Sequence, residues 1–90
     1  MADIQASCEI RPVQASDYAA WLTLWQGYQA FYEVSLSEDI TRSTFQRFLE
    51  DAEPVFCAVA EQDQQLLGMV TLVLHRSTWS LTHYCYLEDL

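Results

Sequence analysis

VFCAVAEQDQQLLGMVTLVLHR, residues 55–76, is the stretch whose reading decides the fold. Val55 to Glu61 is apolar on both faces and rich in strand-forming residues, which suits a central strand. Leu66 to Arg76 is a second, longer run of the same kind, with a local flaw at Gly68. Only the polar Gln62 to Gln65 separates them, so the spacing predicts an antiparallel hairpin. The link lacks the Gly or Asn that short turns favour, and its turn type stays open.

Towards the C-terminus, Ser77 to Thr82 turns the chain into a further strand, His83 to Leu90 (HYCYLEDL). Simple alternation puts Tyr84, Tyr86 and Glu88 on one face and Cys85, Leu87 and Asp89 on the other. Two adjacent carboxylates at the end of an apolar strand need a reason, because a buried carboxylate is costly unless paired. The strand meets the end of the sequence with no cap or turn, as an interrupted strand would.

Towards the N-terminus the pattern turns helical. Asp39 or Thr41 to Asp51 reads as one helix, with Phe45, Phe48 and Leu49 on its apolar face and either of the first two residues as its cap. Before it, Asp17 to about Glu33 carries Tyr18, Trp21, Leu22, Trp25, Tyr28 and Tyr32 at steps of three and four, with Leu24 and Phe31 widening the face. Ser16 is placed to cap this helix, and Asp17 to meet its dipole. Gly27 weakens it by roughly 1 kcal/mol relative to Ala; a close neighbour, a bound ligand or chance accounts for it equally. Val34 to Asp39 is a polar link, and Pro54 favours extension at Glu53. Cys8 to Val13 reads as a first short strand, with Pro12 at an end or on an edge, and residues 1–7 as a tail. The order is strand, helix, helix, strand, strand, strand: an α+β layout with helices beside a mainly antiparallel sheet.

Composition narrows the function classes. The 90 residues allow one domain, 51% hydrophobic and 19% charged, which is too apolar for intrinsic disorder. Thirteen acids against four arginines give a net charge of −9. That balance argues against nucleic acid and against anionic membrane surfaces, and favours cationic partners or simple solubility. Three cysteines with no zinc-like spacing read as reduced, buried thiols of a cytoplasmic protein. No basic start with an apolar core suggests a signal peptide, and no apolar run reaches the roughly 20 residues that cross a bilayer. His75, His83 and Cys85 lack a diagnostic metal spacing, so no metal is expected.

Tyr86-Leu87-Glu88-Asp89-Leu90, preceded by His75-Arg76-Ser77-Thr78-Trp79, resembles the middle of a GCN5-related N-acetyltransferase (GNAT). Within that superfamily it is most similar to the branch that acetylates polyamines and other small amines. The resemblance runs from about Ile10 to Leu90 and covers the N-terminal half of the acyl-CoA N-acyltransferase fold. It implies acetyl-CoA as co-substrate and a primary amine as acceptor. It implies Glu88 as general base, Asp89 as a contact for the cationic amine, and a backbone N–H at or just after Leu90 facing the thioester carbonyl. It places Tyr28, Phe31 and Tyr32 at the border of the acceptor site. Without the resemblance, Glu88 and Asp89 read as solvated strand-end acids, and the three aromatics as core. Trp79 with Tyr84 and Tyr86 fits a cation or, more plainly, core packing.

The family's coenzyme loop has no counterpart here, since Gly27 and Gly68 are the only glycines. Residues 1–90 are therefore expected to form a single incomplete domain, inactive alone. The alternative is a non-catalytic module that forms a homo-oligomer through an exposed sheet edge.

Overall fold

The computed structural model describes residues 8–90; the tail assigned to residues 1–7 lies outside the described residues. Strand β1 is Cys8–Pro12, followed by a 3-10 turn, Ala15–Asp17, and helix α1, Tyr18–Phe31. Helix α2 is Glu38–Phe48, and three strands follow: β2 Val55–Gln62, β3 Gln65–His75 and β4 Tyr84–Asp89. The strands form one antiparallel sheet in the order β1-β2-β3-β4, and both helices lie on the same face of it. This α+β arrangement is consistent with part of the acetyltransferase fold.

The 55–76 stretch forms the expected hairpin. Gln62 pairs with Gln65, and the two turn residues, Asp63 and Gln64, have φ of 52° and 64°. Two consecutive positive φ values are those of the mirror-image turn that matches strand twist. The turn is thus made without glycine or asparagine, at a steric cost that the flanking ladder outweighs.

Helix ends differ from the sequence expectation in which residue caps them. At α2 the cap is Ser37, whose Oγ accepts from the Ile40 N–H at 3.1 Å; Asp39 and Thr41 lie inside the helix. Before α1, Ser16 is part of the 3-10 turn, not a cap. There Asp17 accepts from the Gln14 N–H at 2.7 Å and from both terminal nitrogens of Arg11 at 2.8 and 3.0 Å. The same guanidinium donates to Glu61 at 2.8 Å, so one arginine ties β1, the α1 entry and β2 together. Helix α1 ends in a left-handed residue, Glu33, with φ 56°. Its N–H bonds Ala30 O at 3.1 Å, and the Val34 N–H bonds Gln29 O at 2.9 Å. That is the paired-bond termination usually built on glycine.

The core is Val13, Trp21, Trp25, Phe45, Cys57, Val59 and Met69. Trp21 stacks on Trp25 with ring centroids 5.1 Å apart and meets Phe45 at 4.9 Å. Trp25 Nε1 donates to Thr41 Oγ1 at 3.1 Å, a buried bond from α1 to α2. Gly27 and Gly68 have nothing within 4 Å of the place a Cβ would take, so no close neighbour explains either.

Among the described residues, no helix covers the sheet's other face. Its register positions are Ile10 on β1, Phe56, Ala58 and Ala60 on β2, Val70, Leu72 and Leu74 on β3, and Cys85 and Leu87 on β4. None is charged, and Ile10, Phe56 and Leu87 are 69%, 45% and 51% exposed. The cysteines do not share one environment as expected: Cys57 is buried, while Cys8 and Cys85 are exposed. Trp79 is also not core, being 89% exposed in the loop before β4.

Candidate active site

The end of β4 departs from simple alternation. Leu87 pairs with Leu72 and Asp89 with Thr71, so Glu88 is the extra residue of a β-bulge. A bulge sets two residues against one and re-aims the side chains that follow. Asp89 therefore shares the helix-covered face with Tyr84 and Tyr86, instead of facing away with Cys85 and Leu87. The sequence gives no sign of this, because an alternating pattern carries no marker for one inserted residue.

Across that face runs a row formed by Cys57 on β2, Thr71 on β3 and Asp89 on β4, each the direct partner of the next. Tyr28 of α1 stands over its β4 end. Its phenol is held above the ordinary tyrosine range by desolvation first, then by hydrogen bonding to Asp89 and by the charges of Asp89 and Glu88. One hydroxyl thus senses both carboxylates. Burial pushes the Cys57 thiol up to about 12, with Asp89 adding to the shift and a contact from Thr71 opposing it. Cys57 stays a protonated, unreactive thiol at neutral pH.

Beside this corner opens a cleft of about 430 Å³, lined by Leu24, Tyr28, Phe31, Tyr32, Leu67, Gly68, Met69 and Leu90. Of the six candidates from the sequence, Tyr28, Phe31, Tyr32 and Leu90 line the cleft; Glu88 and Asp89 do not, and act on it through their effect on the Tyr28 phenol. Phe31 and Tyr32 are 79% and 58% exposed, which corrects the view of them as core. They pack edge-on with centroids 5.1 Å apart, and Tyr32 meets Tyr28 at 4.9 Å. Thr71 and Cys57 were not singled out as site neighbours from sequence. Thr71 had a signal, as the lone polar residue in an apolar strand; Cys57 had none. A second cleft of about 470 Å³, between α1 and α2, is lined by Tyr18, Gln26, Gln29 and Arg42 among others and holds neither β4 carboxylate.

The described residues do not fit the pyrophosphate of acetyl-CoA. A phosphate wants free N–H groups at a helix N-terminus. At the start of α1 the N-cap residue is Asp17, whose carboxylate makes no bond to the helix N–H groups but repels an anion there. At α2 the Ser37 hydroxyl takes it, and Glu38 and Asp39 in the first turn repel an anion. The cleft has aromatic walls on its α1 side and two carboxylates near Tyr28.

No family model matches the chain. The chain is similar to a D-amino-acid N-acetyltransferase of Saccharomyces cerevisiae, at 24% identity over 83 residues. The match covers 90% of this chain and 52% of that protein, so the chain spans about half the length of the curated relative it matches. The similarity supports kinship with N-acetyltransferases. Among the described residues, no helix is long and apolar enough to cross a membrane.

Proposed function

We propose that these residues form the acceptor side of an N-acetyltransferase of the GCN5-related superfamily, one that transfers acetyl from acetyl-CoA to a primary amine. The observation that carries this reading is the bulge at Glu88, which sets both β4 carboxylates by the Tyr28 hydroxyl at the mouth of an aromatic cleft. Asp89 holds the ammonium form of the amine. Glu88 takes the proton that the amine must lose before it can act as a nucleophile. Phe31 and Tyr32 cover the acceptor and exclude water, and the backbone N–H at or after Leu90 is the donor for the acyl oxygen. A small amine or polyamine is the acceptor class, in keeping with the absence of any arginine from the cleft lining. The coenzyme's pyrophosphate is held by residues other than these.

Calorimetry with acetyl-CoA, run beside light scattering, tests the division of labour: this chain alone should bind no coenzyme. In a polypeptide that also carries the coenzyme-binding half, Glu88→Gln should lower turnover by roughly 10²–10⁴-fold. Turnover like the unmodified enzyme's at neutral pH removes Glu88 from the mechanism.

The bare sheet face favours a second reading, a non-catalytic homo-oligomer. Four strands about 4.8 Å apart and about 20 Å long present roughly 400 Å² of flat surface, the size of the largest apolar patch on a typical monomer, which is often functional. A single monomeric species at high concentration counts against it.

A further inference from the structure

The cleft of about 470 Å³ between α1 and α2 shares no lining residue with the cleft beside β4, and the two open on different flanks of α1. Its size is that of a small-molecule site. Two of its lining side chains are polar and almost fully covered: Gln29 is 9% exposed and Thr41 5%. Each accepts from a fixed donor. The Leu36 N–H donates to Gln29 Oε1 at 2.7 Å, and the Trp25 indole donates to Thr41 Oγ1 at 3.1 Å. The first bond settles which end of the Gln29 amide is oxygen. Its other end, Nε2 with two N–H groups, has no acceptor among the described residues, and neither has the hydroxyl proton of Thr41. Buried donors are seldom left so.

What the covered end of this cleft offers is hydrogen to donate, and charge decides which acceptor suits it. At the rim the Arg42 guanidinium is already bonded to Glu38 at 2.9 Å, so that pair is neutral as a whole. Asp39 follows in the first turn of α2, and the chain carries a net charge of −9. A carboxylate entering here meets that field; an uncharged carbonyl does not. Leu22, Ala30, Val34 and Leu36 supply an apolar wall. We propose that this cleft binds an uncharged small molecule with a carbonyl at one end and a short apolar chain at the other, such as a simple amide. The carbonyl oxygen has two lone pairs and accepts from Gln29 Nε2 and from the Thr41 hydroxyl. The chain lies along the apolar wall. Nothing in this assignment rests on the acetyltransferase reading.

The test is NMR titration of this chain with N-butylacetamide, following the Gln29 side-chain amide, the Leu36 N–H and the Trp25 indole N–H. Saturable shifts of all three are expected, with weaker binding of hexanoate. No saturable shift at the Gln29 amide, or hexanoate binding as tightly as the acetamide, overturns the proposal. Gln29→Glu keeps an oxygen for the Leu36 N–H and turns the donor end into an acceptor. It should weaken acetamide binding by roughly tenfold; unchanged affinity in the folded variant overturns the proposal. Should that variant fail to fold, Ala30→Leu decides. Ala30 is exposed on α1, Leu is also a good helix former, and the larger side chain occupies the cleft. A loss of roughly tenfold is expected there too, and undiminished acetamide binding overturns the site.

Discussion

Thr41→Val removes one oxygen from the interior and replaces it with a methyl of nearly the same size. In the folded chain that oxygen accepts from Trp25 Nε1 at 3.1 Å, with Thr41 and Trp25 5% and 6% exposed. No cavity is made, and Thr and Val have similar helix propensities, so the change isolates the bond. The indole N–H is left buried without a partner, which costs about 1–3 kcal/mol. For a domain of this size, a central value of about 2 kcal/mol lowers Tm by roughly 8–16 °C. Thr41→Ser keeps the oxygen and loses a methyl, for about 0.8 kcal/mol, so Ser should be the milder change. Urea unfolding followed by Trp fluorescence measures both, with an unchanged slope showing that the unfolding transition is the same one. Thr41→Val at or above the stability of Thr41→Ser would refute the claim that this bond clamps α1 to α2.

Three further outcomes follow from other residues. Glu33 occupies a left-handed position, φ 56°, so Glu33→Gly should stabilise the chain by about 0.5–1 kcal/mol in the same urea assay. Asp17 is held below the usual carboxylate range by its bonds to Arg11, against the opposing effect of burial. A lowered folded value gives stability above the unfolded value of about 3.9 and loses it as pH falls through the folded one. Tm should therefore fall steeply below about pH 4, and more shallowly in Asp17→Asn. Thiol labelling near neutral pH should modify Cys8 and Cys85 quickly and Cys57 only on unfolding; three equal rates would contradict its burial and its raised value of about 12.

Periodicity of two and of about three and a half made the order of elements legible, because each element buries one face in one core. The hairpin at Gln62–Gln65 was readable from its length, but not its turn, since Asp63 tolerates positive φ but Gln64 is not a residue that favours it. Capping failed for a physical reason. Ser16, Ser37, Asp39 and Thr41 are all competent caps, and what selects among them is where the chain must turn to bring Trp25 against Thr41. The site residues were legible as chemistry, two carboxylates and a run of aromatics, while their geometry was not. A single inserted residue at Glu88 changes which face Asp89 occupies, and neither composition nor spacing records it. Phe31 and Tyr32 share the helical spacing of Trp21 and Trp25, yet they lie past the end of the core that Phe45 and Met69 close off.

The bare sheet face makes this molecule an amphiphile. The chain has a net charge of −9, and among the described residues the plane of Ile10, Ala58, Val70 and Leu72 carries no charged side chain. Two copies approaching by those planes feel repulsion only through solvent, over a Debye length of about 10 Å at 0.1 M salt. Contact between apolar side chains has no such dependence. Adding salt, which loosens complexes held by charge, should draw these molecules together, and low ionic strength should keep them apart. The same asymmetry should bring the protein to air–water and hydrophobic interfaces, sheet side inward and acids in the aqueous phase.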